Sequence, residues 1–208
     1  MNFLKKINAH MMVIASPLEI DDTDFGYDDI DFNKKEYDKY RKMESKLIHR
    51  FSDNVGLFKL KDHFFVFDDK NHQILFVVKY AIIPFLSYHF VVQKKIWRSL
   101  ILSREQYKIE GMPVSNYVFF NHLLPMADGV GIITDSMQTP SGKRFWFDRI
   151  AQSFEKGLNV YLMDRNKKSK IKIKDEADFI LKIKQEKTWT SDDTASLNRR
   201  IVITQKQL

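Results

Sequence analysis

The chain contains no cysteine among its 208 residues and no long uninterrupted apolar run. The absence of cysteine excludes disulfide bonds, thiolate metal sites and cysteine nucleophiles, and it is compatible with either redox environment. A transmembrane helix requires about 18 or more consecutive apolar residues, so none is expected. The opening segment Met1–Ile7 is too short for a signal peptide, because Asn8 and His10 interrupt the apolar region at once. We therefore expect a soluble cytoplasmic protein.

Several motifs that mark common enzyme classes are also absent. The sequence has no G-x-x-x-x-G-K-[ST], no G-x-G-x-x-G and no G-x-S-x-G, so nucleotide hydrolysis, dinucleotide binding and a serine-hydrolase elbow have no support. Its six histidines occur at no metal-binding spacing such as H-E-x-x-H. No metal site is predicted.

The composition predicts one core with terminal additions. With 44% hydrophobic and 13% aromatic residues, a chain of this length can bury one sizeable core. We divide it into an N-terminal arm with an acidic linker (1–32), a core (33–165) and a basic C-terminal extension that packs on the core (166–208).

The net charge of +7 is unevenly distributed along the chain. Residues Glu19–Asp31 hold seven acidic side chains and no basic one, and we predict a disordered, solvated arm there. Residues Arg165–Lys174 hold six basic side chains in ten positions. This basic segment is interpreted as a solvated hairpin whose lysines alternate with Ile171 and Ile173, or as a site that attracts a polyanion such as nucleic acid. The acidic stretch could then compete for that site.

Hydrophobic periodicity predicts a mixture of strands and helices. An amphipathic helix is expected over Asn33–Arg50, with strands at Arg199–Thr204 and within the aromatic, β-branched run from Val55 to Val92. Pro113 fits the first turn of a buried helix that extends to Leu124. Next, Val130–Thr134 and Leu158–Leu162 flank a helical pattern ended by Gly157, a β-α-β unit that predicts two neighbouring strands.

This pattern resembles the C-terminal half of the GNAT acyltransferase fold, particularly in GNAT-like proteins of tailed phages. There, a strand ending in Asp leads through Gln-Thr and Gly into a helix that opens with Phe-Trp. The corresponding residues here are Asp135, Gln138, Thr139, Gly142, Phe145 and Trp146. The resemblance covers about residues 55 to 165. It implies an α/β (α+β) fold with a mixed, mostly antiparallel sheet flanked by helices.

The resemblance implies acetyl-CoA or another acyl-CoA as co-substrate, with its pyrophosphate at the N-terminus of a helix. Unpaired amides at a helix start favour a phosphate, and glycine permits close backbone approach. The corresponding segment is Glu110–Asn116, where only one glycine is present; alternatively, this loop only turns the chain. The cofactor-binding candidates are Trp97, Arg98, Arg104, Gly111, Met112, Val114 and Ser115.

Many GNAT enzymes use a carboxylate to deprotonate the acceptor amine, which cannot attack a thioester as an ammonium, and a Tyr to protonate the leaving thiolate. Asp135, at a predicted strand end, is the candidate base, or alternatively caps a turn. Phenylalanines stand where the Tyr is expected, so Tyr117 is a substitute candidate for the acid. The substrate-binding candidates are Ser136, Gln138 and Thr139; alternatively, Thr139 or Ser141 caps the following helix, which is the favoured interpretation.

The leading hypothesis is an acyl-CoA-dependent N-acyltransferase that acts on an unidentified amine, in the host cytoplasm if the protein is phage-encoded. One alternative is a GNAT-fold binding or virion-associated protein without catalysis, which the missing glycines and the missing Tyr favour. The other is a nucleic-acid-binding accessory protein that uses Arg165–Lys174.

Overall fold

Aromatic and β-branched runs form most of the strands, as their composition predicts. The computed structural model describes residues 29–126, 130–134, 140–185 and 198–208. The strands are β1 (Lys46–Ser52), β2 (Val55–Leu60), β3 (His63–Asp68), β4 (Gln73–Phe85), β5 (Tyr88–Arg98), β6 (Lys108–Ile109), β7 (Met112–Pro113), β8 (Ile132–Ile133), β9 (Asn159–Asp164), β10 (Ser169–Ile173) and β11 (Arg199–Thr204).

One curled sheet contains nine of these strands, in the order β1-β2-β3-β4-β5-β8-β11-β9-β10. Its neighbouring strands are antiparallel except for β5 and β8, which are parallel. The strands β6 and β7 form a separate hairpin. Helices flank the sheet, so the predicted α/β (α+β) class, with a mixed and mostly antiparallel sheet, is confirmed.

The helices are α1 (Ile30–Arg41), α3 (Pro140–Glu155), α4 (Glu176–Gln185) and the continuous helical segment α2, made of Val114–Val118, Phe119–Leu123 and Leu124–Met126. In the described part of the chain, no helix combines the length and apolar composition needed to cross a membrane.

Alternation along the strands gives the sheet two distinct faces. On β3, Phe64 and Val66 belong to the larger core, whereas Phe65 and Phe67 pack on the opposite face with Tyr37 of α1. The other helices pack on the larger core through Phe119, Trp146 and Phe179. Consequently α2, α3 and α4 share one face, and α1 covers part of the other.

Helix α1 ends earlier than the sequence predicts. The expected helix over Asn33–Arg50 is wrong beyond Arg41, because residues 46–52 form β1 and pair with β2. The start of α1 is tied to the sheet by Asn33, whose side chain accepts from the Ile74 amide at 2.7 Å and donates to the Ile74 carbonyl at 3.0 Å. Pairing at the sheet edge thus overrides local helix propensity after Arg41.

The predicted buried helix from Val114 is confirmed, with two differences in detail. Pro113 immediately precedes its first turn instead of lying within it. In the middle of α2, Phe119–Leu123 has π geometry, and the Leu124 amide donates to the Phe119 carbonyl. This wider turn lies just before Pro125, whose ring clashes with the carbonyl four residues earlier in a regular α-helix.

The β-α-β unit has the predicted helix but not the predicted strand neighbours. Gly157 ends α3 with a φ of 67°, and the Leu158 amide donates to the Ser153 carbonyl at 2.9 Å, a Schellman arrangement. The expected adjacency of β8 and β9 is wrong, because β11 lies between them and Val202 pairs with both. The segment 166–208 therefore supplies strands of the central sheet itself.

Candidate functional site

The parallel strands β5 and β8 share only a short paired stretch. They pair only where Val91 and Val92 face β8. Beyond this point β5 continues along β4 to Arg98, while its other edge has no strand partner among the described residues. Ligands commonly bind at the carboxyl ends of parallel strands. We call the place where this pairing ends, after Val92 and Ile133, the fork between β5 and β8, and it is the first part of the candidate site.

A buried polar atom lies at the fork. Gln93 directly follows the paired residues of β5, and its Oε1 is buried with no hydrogen-bond partner in the described part of the chain. A β-bulge occurs at the same place, because Tyr80 pairs with Gln93 and Lys79 with Lys95, leaving Lys94 as an extra residue. An unsatisfied buried oxygen costs about 1–3 kcal/mol. An amide N–H of a ligand in the fork can satisfy it.

Close backbone packing at Gly131 fixes the base of the fork. The Gly131 carbonyl accepts from the Val91 amide at 3.1 Å. Its φ is 133°, and a Cβ atom there would overlap the carbonyl oxygen of Ile203 in β11. Only glycine meets both requirements, so this residue allows β5, β8 and β11 to approach one another closely.

The first turn of α2 is the second part of the site. It follows the β6–β7 hairpin, whose turn residues Glu110 and Gly111 have φ angles of 52° and 75°, as a two-residue turn requires. Pro113 occupies the N-cap position, and no side chain caps the helix. The amides of a first helical turn lack partners within the helix, which favours an anion at this position.

Arg149 of α3 is buried beside this first turn. Only 3% of it is exposed, and its Nη2 donates to Ser115 Oγ at 3.1 Å. Its guanidinium carbon lies 4.2 Å from the ring centroid of Phe145 and 5.4 Å from that of Phe119. The Nε is buried and has no partner among the described residues. A buried charge without a counterion is costly, so an anion here would be stabilised.

The pKa of Arg149 depends on its burial and on two neighbouring charges. Burial lowers the pKa of the Arg149 guanidinium to about 9; the carboxylate of Asp148 opposes this effect, and the charge of Arg98 reinforces it. The influence of Arg98 means that its guanidinium lies within electrostatic range of Arg149. Arg98, Arg149 and the turn amides together form a region of positive potential.

Asp148 and Gln152 extend the site along α3. The Asn116 side chain donates to Gln152 Oε1 at 2.7 Å, which joins the first turn of α2 to α3 a second time. Asp148 is half-buried and lies one helical turn before Gln152. Burial raises the pKa of its carboxyl group, although Arg149 and Arg144 lower it. A carboxylate with a raised pKa is a stronger base, so Asp148 is suited to accept a proton.

The structure brings together part of the predicted site. Gly111, Met112, Val114 and Ser115 lie at the β6–β7 hairpin and the first turn of α2, with Arg98 nearby. Val114 and Ser115 are buried, whereas Gly111 is exposed. The loop segment and the arginine predicted for an anion therefore occupy one region.

Other predicted residues lie away from this region or outside the described residues. Trp97 packs on the opposite face of the sheet, in the cluster of α1. Arg104 is exposed in a short 3₁₀ connection. The Tyr117 ring is partly buried, 5.4 Å from that of His122. The remaining candidates, which lie outside the described residues, are Asp135, Ser136, Gln138 and Thr139.

Sequence reasoning missed three residues of this site, namely Gln93, Asp148 and Arg149. The signal that was present is an Asp-Arg pair inside the aromatic helix, since charged residues on an apolar stripe are seldom without a role. No group of three or more His, Asp or Glu side chains that could hold a metal occurs in the described ranges.

Comparisons with known proteins add no family to this description. No family model, no curated protein and no solved structure matches the chain. The function is therefore argued from the residues of this chain alone.

Proposed function

We propose that the protein is a GNAT-like, acyl-CoA-dependent N-acyltransferase, phage-encoded and acting on an amine in the cytoplasm of the host. The observation that carries the proposal is the fork between β5 and β8, with the unsatisfied Gln93 Oε1 inside it and the uncapped first turn of α2 beside it. This combination suits a long ligand that has amide groups at one end and phosphates at the other, which describes coenzyme A.

The phosphate end would be held at the first turn of α2. Its amides supply hydrogen-bond donors, and Arg98 and Arg149 supply positive charge. Arg149 fits this role because its Nε lacks a partner in the described part of the chain and its Nη2 donates to the neutral Ser115 hydroxyl. A phosphate would provide the missing counterion.

The amide-containing arm would lie in the fork. There, no described strand pairs with this edge of β5 after Val92, and Gln93 Oε1 can accept from an amide N–H. When bound, the acyl-CoA supplies a thioester whose acyl group is open to attack by an amine. The fork excludes bulk water from one side, because the buried residues Val91 and Ile132 form its base.

The reaction requires two proton transfers, one from the amine and one to the thiolate. The attacking amine must lose a proton, and Asp148, with its raised pKa, is the described carboxylate suited to accept it. Asp135 remains the other candidate for this role. Tyr117, on α2 two residues after Ser115, is the candidate that returns a proton to the thiolate.

Isothermal titration calorimetry with acetyl-CoA tests the binding step, with AMP as the control for nucleotide binding alone. We expect acetyl-CoA to bind to wild type and to bind at least about tenfold more weakly to Arg149→Met, because a charge-assisted hydrogen bond contributes about 1.5–3 kcal/mol. Arg144→Met, an exposed change on the same helix, is the matched control and should bind as wild type does.

Catalysis is tested by mass spectrometry of a panel of amines incubated with acetyl-CoA and the protein. Acetylated product that decreases in Asp148→Asn without loss of acetyl-CoA binding would support the assignment of the base. Binding without any product would instead favour the catalytically inactive GNAT-fold module. No binding of acetyl-CoA or CoA at all would contradict the proposal.

A further inference from the structure

A basic cleft lies between the ends of two hairpins. The β4–β5 hairpin contributes Ser87 and Tyr88, and the β9–β10 hairpin contributes Arg165, Lys168 and Lys170. The cavity has a volume of about 740 Å³, within the range of about 300–1,000 Å³ that is typical of ligand pockets.

The cleft belongs to the face of the sheet opposite to α2 and α3. On β5, Val91 faces the core of α2, whereas its neighbours Phe90 and Val92 face a separate cluster that includes Phe85 and Met163. Met163 also lines the cleft. A ligand in the cleft would thus be on the other side of the sheet from Ser115 and Arg149.

The cations of the cleft are not neutralised by neighbouring acids. Among the described residues, no ion pair is formed by Arg165, Lys168 or Lys170. The nearby carboxylate of Asp164 is already paired with Arg199, at 2.9 Å between Oδ2 and Nε. Burial is the first influence on the pKa of the Asp164 carboxyl and raises it, but hydrogen bonds from Arg199 and the following turn outweigh it, so the net pKa is lowered.

Aromatic rings hold two of these cations in place. The guanidinium carbon of Arg165 lies 4.7 Å from the ring centroid of Phe85, and the Nζ of Lys170 donates to Tyr88 Oη at 3.2 Å. Tyr88 is partly buried and also lines the cleft. The cleft therefore presents fixed positive charges next to an aromatic side chain.

We propose that this basic cleft binds a single strand of nucleic acid, with phosphates against Arg165, Lys168 and Lys170 and a base against Tyr88. Positive grooves with an aromatic surface are the usual means of holding single strands without sequence preference. The proposal is independent of acyl-CoA binding, because the two sites lie on opposite faces of the sheet.

Fluorescence anisotropy with a labelled oligothymidine or oligouridine strand tests the proposal. At about 0.7 counterions released per phosphate contact, three contacts make the affinity fall about 20-fold between about 50 and 200 mM salt. In Lys168→Gln/Lys170→Gln, with one contact left, the fall should be about 3-fold. The matched control Lys172→Gln/Lys174→Gln removes the same charge from residues that do not line the cleft, and it should keep the wild-type salt dependence.

Tyr88 provides a second measurement. Tyr88→Leu should weaken binding at least about fivefold and leave the salt dependence unchanged, because stacking of one base contributes about 1–3 kcal/mol. Tyr88→Phe keeps the ring and should restore the affinity. An equal loss in the two lysine double variants would show attraction by net charge alone and overturn the proposal, as would the absence of binding to both strands or tighter binding to a duplex.

Discussion

Arg149 Nη2 donates to Ser115 Oγ at 3.1 Å and so joins α3 to the first turn of α2. Among the described residues, this neutral hydroxyl is the hydrogen-bond partner of a guanidinium that is 3% exposed. A hydroxyl compensates a buried charge poorly, so the fold alone gains little from having arginine there. The charge is better explained by an anion that binds at the adjacent helix start.

Replacement of Arg149 by methionine is expected to separate stability from binding. Arg149→Met should raise the free energy of unfolding by about 1–4 kcal/mol, because an apolar side chain replaces an unpaired buried charge. Urea denaturation measures this change, and Arg144→Met should stay within about 0.5 kcal/mol of wild type. A strongly destabilised Arg149→Met protein would mean that the arginine serves the fold instead.

The same residue predicts how stability depends on pH. Below pH 9 Arg149 is protonated in both the folded and the unfolded chain, and its burial penalty is fully present. Above pH 9 the folded chain loses this proton while the unfolded chain, in which the guanidinium has its ordinary, much higher pKa, keeps it, so the folded state gains relative stability. The difference in unfolding free energy between Arg149→Met and wild type should therefore narrow as the pH rises from 8 to about 10.5. A constant difference would contradict the lowered pKa.

The role of Gly111 can be tested with two substitutions that differ in how well they accept a positive φ. Its φ of 75° strains valine but is accepted by asparagine, and a Cβ atom would meet nothing within 4 Å. If a phosphate approaches this backbone, Gly111→Asn should weaken acetyl-CoA binding about fivefold or more at unchanged melting temperature. If the residue only turns the chain, Gly111→Asn should bind as wild type does, and only Gly111→Val should lose stability.

Gly131 is predicted to be the least replaceable glycine of the described chain. Gly131→Ala combines a positive φ with an overlap against Ile203, and we expect a loss of about 3 kcal/mol or more in unfolding free energy. Gly157→Ala is the comparison, because that residue has a φ of 67° but open space around it, and it should lose only about 1–2 kcal/mol. Equal losses would argue against the close packing of β8 on β11.

The acidic stretch is predicted to compete with nucleic acid for the basic cleft. Deletion of residues 19–28 removes five carboxylates but keeps Asp29, whose side chain caps α1 by accepting from the Phe32 amide at 2.9 Å. The shortened protein should bind the oligothymidine strand more tightly than wild type, most clearly at low salt. Unchanged affinity would leave the acidic residues with a role in solubility alone.

Sequence periodicity was sufficient for elements whose pattern is local. The strands after Val55, the buried helix from Val114 and the stop at Gly157 all follow from spacing and turn chemistry. The position of β11 was not predictable in this way. It depends on hydrogen bonds between residues such as Ile201 and Thr134, which are 67 residues apart in the sequence, and no local pattern indicates such contacts.

The β-bulge at Lys94 accounts for the position of Trp97 on the face of the sheet that α1 covers. One extra residue in β5 reverses which side chains face α2 afterwards, so Arg98 instead of Trp97 lies on the face of Arg149. No feature of the sequence around Lys94 predicts a β-bulge. The burial of Arg149 could not be predicted from the sequence either, because it depends on aromatic rings of α2 and α3 that come together only in the folded state.

The insertion of β11 has a consequence for synthesis on the ribosome. Until residues 199–204 emerge, the sheet consists of two parts, one ending at β8 and the other at β9, and each has an unpaired edge. Open edges of this kind recruit other chains. Nascent or truncated chains that stop before Arg199 are therefore expected to aggregate, which sedimentation of a truncation series would reveal, whereas chains that include Thr204 close the sheet and stay in the supernatant.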